Sequence, residues 1–464
     1  MELKAFDIVI IGGGPGGYVA AIRASQLGMT VALVEREHLG GICLNWGCIP
    51  TKAMLKSAEI FKVMKNANSF GLSAEKVDFD LNKVIDRSRK IASQLSSGVK
   101  HLLKKNKVTI LFGDATLENN NTVSINTNGT RDEIKANNII IATGARAREI
   151  PGLESDGDMI WNYKNALRPS RMPKKMLVVG SGAIGVEFAC FYNTMGCDTT
   201  IIELASRILP NEDIEVSELA KTEFIAQGIS IRENTSITKI KKEKNTVSAD
   251  LTELKNTQTF EYDTIIMATG IVGNTENLGI EVLGIKVEMS HIKTDKFCRT
   301  NVENIYAIGD VSGAPWLAHK ASHEGVMVAE LLAGKKVTPR RDNSIAGCTF
   351  CHPQIASVGL TEEKALAEGF KLKVGKFPFL ANGKALAIGE TNGFVKTIFD
   401  SETGELLGAH MIGPEVTELI HSFVLGKQLE GTDEDYIEAI FPHPTLSESI
   451  HESVLNAFGK TIHF

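Results

Sequence analysis

No stretch of the chain stays apolar over the roughly 20 residues that a helix needs to cross a bilayer, so a membrane-spanning helix is not expected. Positive charge is not in excess either. The formal net charge of -6 argues against a nucleic-acid surface, and the short run KKEK at Lys241 to Lys244 reads as a solvated turn. Cysteine is scarce. Seven in 464 residues make no disulfide scaffold, so any close pair points to redox or metal chemistry. Met1 leads almost directly into the apolar run Phe6 to Ile11, without a charged leader, h-region or Arg/Ser-rich transit segment, and a cytoplasmic location is the expectation. What remains is an ordinary globular composition, 43% hydrophobic and 23% charged, long enough for about three domains and for large ligand sites.

The clearest organising feature is an internal repeat. FDIVIIGGGPGGYVAAIRASQLGMTVALVE near the start matches KKMLVVGSGAIGVEFACFYNTMGCDTTIIE in the middle. Gly12, Gly14, Gly17, Gly28 and Glu35 correspond in order and spacing to Gly180, Gly182, Gly185, Gly196 and Glu203. Each copy reads as a buried parallel strand, a helix, and a second strand ending in glutamate. Glycines at this spacing permit a tight strand-to-helix turn, close approach of the backbone to a pyrophosphate, and close packing of helix on sheet. The helix N-terminus then offers unsatisfied N–H groups and a positive dipole to the phosphates, and the glutamate is placed to accept from a ribose 2′-OH. One such motif is weak evidence; two in register, both in βαβ context, predict two dinucleotide sites. Each copy is followed by a strand ending in Ala-Thr-Gly, at Ala142 to Gly144 and Ala268 to Gly270. A later strand, Ile305 to Ile308, delivers Asp310 to a strand C-terminus, where open α/β sheets bind ligands. Pro151, Pro169 and Pro173 flank the second unit, as expected for an insertion joined by stiff connections.

Just after the first unit stands GGICLNWGCIPTK. In a regular helix Cys43 and Cys48 would lie about 7.5 Å apart along the axis, beyond the roughly 7 Å Cα limit of a disulfide. The segment must be distorted if they bond, and Gly40, Gly41, Gly47 and Pro50 supply irregular backbone. A metal site would want further ligands nearby, and none is present. A second pair, Cys348 and Cys351, falls in GCTFCHPQIASVGL, which reads as a strand interrupted by Pro353. That placement predicts packing residues on opposite faces rather than a thioredoxin-like motif.

With its duplicated dinucleotide motif, the GGxC-x4-C segment, two ATG strands, the Gly-Asp turn and a C-terminal HPTLSE, the chain resembles the pyridine nucleotide-disulfide oxidoreductases, class I, along its whole length. CLNWGCIPTK, LAHKA and HPTLSE resemble the members that oxidise dihydrolipoamide more than those that reduce glutathione disulfide. The resemblance implies an α/β fold: an FAD-binding domain at 1–146, an inserted NAD-binding domain at 147–274, a central segment at 275–345 completing the flavin domain, and a C-terminal α+β dimerisation domain at 346–464. Alternating segments at Lys371 to Phe379, Phe394 to Phe399 and Leu406 to Ile412 fit the last of these.

By the same resemblance Cys43 is the interchange thiol, Cys48 the thiolate against the flavin, and Lys52 lies near the flavin and pairs with Glu187. His443 is the general base, steadied by Glu448, and meets Cys43 across a dimer interface. Gly113, Gly144, Asp310 and Ala318 match flavin-contacting positions, and Ile237 and Gly270 match positions that contact NAD. The expected activity is oxidation of protein-bound dihydrolipoamide by NAD through a redox disulfide and FAD, with no metal. Expected partners are a second copy of the chain and the lipoyl domains of 2-oxoacid dehydrogenase complexes or the glycine cleavage system. The alternatives are an NAD(P)H-dependent disulfide reductase of the glutathione type and a non-catalytic scaffold. Departures lie off the electron path: GIVGN stands at Gly270 to Asn274 where many relatives carry an arginine to the nucleotide, Pro353 in the interface domain is followed by Gln354 rather than Glu, and Ile42 replaces a frequent threonine beside the flavin. Arg207, four residues beyond Glu203, is a possible partner for the 2′-phosphate of NADP.

Overall fold

The computed structural model describes residues 3–464, in which two compact units are distinguished. The first gathers the chain up to Met54, Asp80–Arg148 and Thr269–Arg340. Its centre is a parallel sheet ordered Thr109–Phe112, Val31–Glu35, Lys4–Ile11, Thr130–Ile141, with Ile305–Ala307 beside the last. Ile8 and Ile10 face one side, with Ala20, Ala24 and Val328 from two helices. Val9 and Ile11 face the other, with Ile139, Ile141 and Ile305. Successive side chains of a strand point to opposite faces, so a sheet covered on both demands the unbroken apolar run seen here. Thr122–Thr127 and Asp114–Asn119 extend Thr130–Ile141 as an antiparallel ribbon.

The second unit gathers Leu55–Phe79, Glu149–Ala268 and Arg341–Phe464. It repeats the winding: Ser230–Arg232, Asp198–Ile202, Lys175–Val179 and Thr264–Met267 run parallel in that order, followed by Ile160–Trp161. Three antiparallel strands, Thr235–Lys242, Val247–Glu253 and Asn256–Tyr262, again form a ribbon. The duplication therefore extends beyond the glycine motifs to whole sheets. The KKEK run is half strand and half turn: Lys241 and Lys242 close the first ribbon strand, where Lys242 pairs with Asp156 at 2.6 Å, and Glu243 and Lys244 enter the exposed turn that follows.

The C-terminal part of this unit is an antiparallel sheet ordered Gly347–Thr349, Gln354–Gly359, Leu406–Gly413, Phe394–Asp400, Leu372–Pro378, carrying the Glu448–Ala457 helix. Two of its strands correct the alternating pattern expected of them. Phe394–Asp400 and Leu406–Gly413 are buried at every position, Lys396 and His410 included. Lys396 is neutralised by Asp213, Glu215 and Glu362, so a polar residue in the alternation marks an internal ion pair rather than a wet face. Cys348 lies on a strand as expected, but Cys351 lies just beyond it in a bend, buried, its thiol 3.0 Å from the Pro353 carbonyl. Among the described residues no helix is long and apolar enough to cross a membrane.

Candidate active site

In the first unit, the turn after Lys4–Ile11 is shaped by steric necessity. A Cβ on Gly12 would fall 2.2 Å from the Ala142 carbonyl oxygen, and one on Gly17 would fall 1.9 Å from that of Gly12. The second unit repeats this: a Cβ on Gly185 would meet the Gly180 oxygen at 2.0 Å. Gly14 and Gly182 are different. Each caps a helix at an ordinary φ, -68° and -67°, without a side-chain cap. A Cβ on Gly182 would have nothing within 4 Å, and one on Gly14 would meet only the Cα of Gly41 at 3.9 Å. Protein packing does not require glycine there, so each helix N-terminus is left open to close approach.

The two glutamates are held alike. Glu35 accepts from Gly13 N at 2.7 Å and Glu37 N at 2.7 Å; Glu203 accepts from Ser181 N at 3.0 Å and Ala205 N at 2.9 Å, and from the Ser181 hydroxyl at 2.6 Å. Backbone donors fix each carboxylate at the end of its second strand, with lone pairs left for a ribose. These cradles fit dinucleotides in both units. Arg207 is engaged elsewhere, by Glu363 at 2.9 Å and by backbone carbonyls. Ile237 sits at a bulge of the ribbon in the second unit.

Also in the first unit, Gly113 donates its N–H to the Glu35 carbonyl at 3.0 Å. The first ATG segment is stitched to the residues that follow the second: Thr143 donates to the Asn274 carbonyl at 2.7 Å, Asn274 returns a side-chain N–H to the Thr143 carbonyl at 2.9 Å, and Asn274 N donates to Gly144 O. Gly270, at φ 95°, leads into Ile271–Gly273, which pairs with Ala145–Ala147.

Cys43 and Cys48 fall on different helices, Gly41–Trp46 and Cys48–Lys65. Gly47 between them adopts φ -145° and ψ -115°, the distortion that bonding between the cysteines requires. Both are partly buried and neither is disulfide-bonded in the structure. The Cys43 thiol is pushed well up, first by its hydrogen bond with Cys48 and then by burial, while the Lys52 ammonium draws it down. A thiol pair of this kind gives up one proton far more readily than two.

Asp310 is half-buried just after Ile305–Ala307, and burial raises its carboxyl while Lys320 opposes the rise. Its turn is braced from the helix that Ala318 begins. Lys320 donates to Gly309 O at 3.2 Å and Gly313 O at 2.9 Å, Gly309 N donates to Glu324 at 2.7 Å, and Glu324 is ion-paired with Lys320 and Arg340. Neither Lys320, within LAHKA, nor Glu324 is a candidate on motif grounds; their i,i+4 spacing is the signal the sequence carries.

In the second unit Glu187 is buried and accepts from Phe350 N at 2.9 Å. His443 stands 2.9 Å from Glu448 through Nδ1. Burial opposes ionisation of Glu448, but hydrogen bonds from Thr445 N and His443 prevail and hold it below the usual carboxylate range. An ionised Glu448 accepts a hydrogen bond from Nδ1–H, which leaves Nε2 as the basic nitrogen.

A sequence profile described as pyridine nucleotide-disulphide oxidoreductase matches residues 6–325, and the dimerisation domain of the same family matches residues 345–454. The dihydrolipoyl dehydrogenase of Zymomonas mobilis is 53% identical over 99% of both chains, and that of Bacillus subtilis is 41% identical over 99% of both. Among solved structures, LpdA of Mycobacterium tuberculosis superposes with a TM-score of 0.90 at 26% identity, covering 97% of this chain and 99% of that one. The HOCl-induced flavoprotein disulfide reductase RclA of Escherichia coli superposes at 0.86 with 27% identity and the same coverage.

Proposed function

Because this chain belongs to the pyridine nucleotide-disulphide oxidoreductase family, we propose that it oxidises protein-bound dihydrolipoamide to lipoamide and reduces NAD+ to NADH. FAD, when bound, supplies the two-electron carrier between the cysteine pair and the nicotinamide. The flavin cradle is Gly12, Gly14, Gly17, Glu35, Lys52, Gly113, Gly144, Asp310 and Ala318. The NAD cradle is Gly180, Gly182, Gly185, Glu203, Ile237 and Gly270. The Lys52 cation favours negative charge nearby.

His443 Nε2 removes a proton from a substrate thiol, and the resulting thiolate attacks Cys43. The Cys43–Cys48 bond breaks and Cys48 leaves as a thiolate. The second substrate thiol then displaces Cys43, its proton passing to the departing Cys43 sulfur as the disulfide of lipoamide closes, so two electrons now reside on the cysteine pair. An imidazole suits this task because thiols near pKa 8.5 are mostly protonated at neutral pH. The observation that carries the reading is the break at Gly47, which separates the cysteines onto two helices and frees them from regular helical spacing.

We place the domain limits at 1–146, 147–274, 275–345 and 346–464. The working form is a cytoplasmic homodimer in which His443 of one subunit serves Cys43 of the other, and its partners are lipoyl domains of 2-oxoacid dehydrogenase complexes or of the glycine cleavage system. The deciding experiment is a steady-state assay of the purified protein with dihydrolipoamide and NAD, set against glutathione disulfide and NADPH. Turnover confined to the second pair refutes the proposal.

A further inference from the structure

The Leu81–Lys105 helix of the first unit holds the cysteine segment at three places. The Ser96 hydroxyl donates to the Leu39 carbonyl at 2.8 Å, ahead of Cys43. Arg87 donates to the Ala53 carbonyl at 2.7 Å, after Cys48. Between the cysteines, Arg89 donates to the Asn45 carbonyl at 2.7 Å and sets its guanidinium carbon 4.7 Å from the centre of the Trp46 ring. Asn45 in turn closes the segment on itself, donating through its amide to Leu39 O at 3.0 Å and Gly41 O at 2.9 Å.

The middle hold is the informative one. Asn45 and Trp46 immediately precede Gly47, where helical regularity breaks and the separation of the two sulfurs is decided. A glycine-flanked segment is conformationally loose by nature. An arginine restrains it well, since its planar guanidinium can stack on an indole and donate to a carbonyl together, which an ammonium cannot do with one compact head.

We propose that Arg89 is a positioning residue for the cysteine pair, clamping Asn45 and Trp46 so that Cys43 and Cys48 stay within bonding range in both the dithiol and the disulfide form. The inference rests on the redox role proposed above for the two cysteines. A loosened segment lowers the effective concentration of each thiol for the other, which weakens the disulfide relative to the dithiol.

The test uses the purified full-length protein with Arg89→Met, Arg89→Lys and Trp46→Leu variants. Each is equilibrated in dithiothreitol buffers of graded oxidation, the thiols are trapped by alkylation, and the disulfide fraction is read by mass spectrometry. Arg89→Met is expected to lower the equilibrium constant for disulfide formation by about tenfold, with a similar loss of dihydrolipoamide turnover. NADH oxidation by ferricyanide, which bypasses the cysteines, stays within about twofold, and Arg89→Lys recovers little. Trp46→Leu, which keeps the hydrogen bond to Asn45, shifts the equilibrium about threefold and serves if Arg89→Met does not fold. An unmoved equilibrium overturns the inference, as does a parallel loss of ferricyanide reduction, which marks general loosening of the domain. If the wild type lacks dihydrolipoamide activity but the equilibrium shifts as described, the substrate assignment fails and the role of Arg89 stands. A wild type that forms no Cys43–Cys48 disulfide overturns both.

Discussion

Replacing Lys396 by methionine tests whether the internal ion cluster of the second unit is held by one cation. The Lys396 side chain is 1% exposed, and its Nζ lies 3.0 Å from Asp213, 2.8 Å from Glu215 and 2.7 Å from Glu362. Asp213 is 0% exposed and caps the Ile214–Ala226 helix by accepting from Glu215 N at 3.1 Å. Methionine keeps much of the volume and none of the charge. Removing one partner from a buried pair costs about 3–5 kcal/mol, because the other charge is left uncompensated. Glu215 and Glu362 are 35% and 37% exposed, so solvent screens them and the lower figure, about 3 kcal/mol, applies to Asp213.

The pH dependence has a definite sign. In the wild type burial works against ionisation of Asp213, but the hydrogen bonds and charge of Lys396 prevail and its pKa lies below the ordinary value. Asp213 therefore contributes stability that is present above the unfolded carboxylate pKa and lost as pH falls through the folded one. In the variant burial acts unopposed by Lys396 and the folded pKa moves above the unfolded one, so protonation favours the folded state. The gap between the two proteins is widest at neutral pH and narrows toward pH ~4. His410, which also faces the cluster, is kept below its ordinary value by burial and does not reverse this sign, and Lys376 reaches only the exposed side through Glu215. Urea denaturation at pH 7 and pH 5 measures the gap, and hydrogen exchange over Ile214–Ala226 and Phe394–Asp400 localises it. A gap under about 1 kcal/mol at pH 7, or one equal at both pH values, refutes the reasoning.

Three further outcomes are expected. His443→Gln should lose on the order of 10²-fold or more of dihydrolipoamide turnover while NADH oxidation by an artificial acceptor survives; mixing it with Cys48→Ser under subunit exchange should restore activity, and inert heterodimers would exclude a shared site. Cys48→Ser should abolish the long-wavelength absorbance that partial reduction produces when a thiolate lies against the flavin, and persistence of that band would show that the roles of the two cysteines are exchanged. NAD should be preferred to NADP in kcat/KM, because Glu203 repels a 2′-phosphate and Arg207 is occupied by Glu363; comparable values would disprove the assignment of Glu203.

Local chemistry made much of this protein legible in its sequence. A glycine whose Cβ would strike a carbonyl, as at Gly12 and Gly185, has no substitute, so the two dinucleotide turns announce themselves by spacing alone. The distortion at Gly47 followed from the rise of a helix and the reach of a disulfide. The burial of Lys396 did not follow, because its partners stand at Asp213, Glu215 and Glu362, and nothing local distinguishes a lysine facing water from one facing three distant carboxylates. The bracing of the Gly309–Asp310 turn by Lys320 and Glu324, and the hold of Arg89 on Asn45 and Trp46, were likewise settled only by tertiary packing. Motifs constrain the backbone where they stand, whereas a long polar side chain takes its meaning from whichever element the fold brings within its reach.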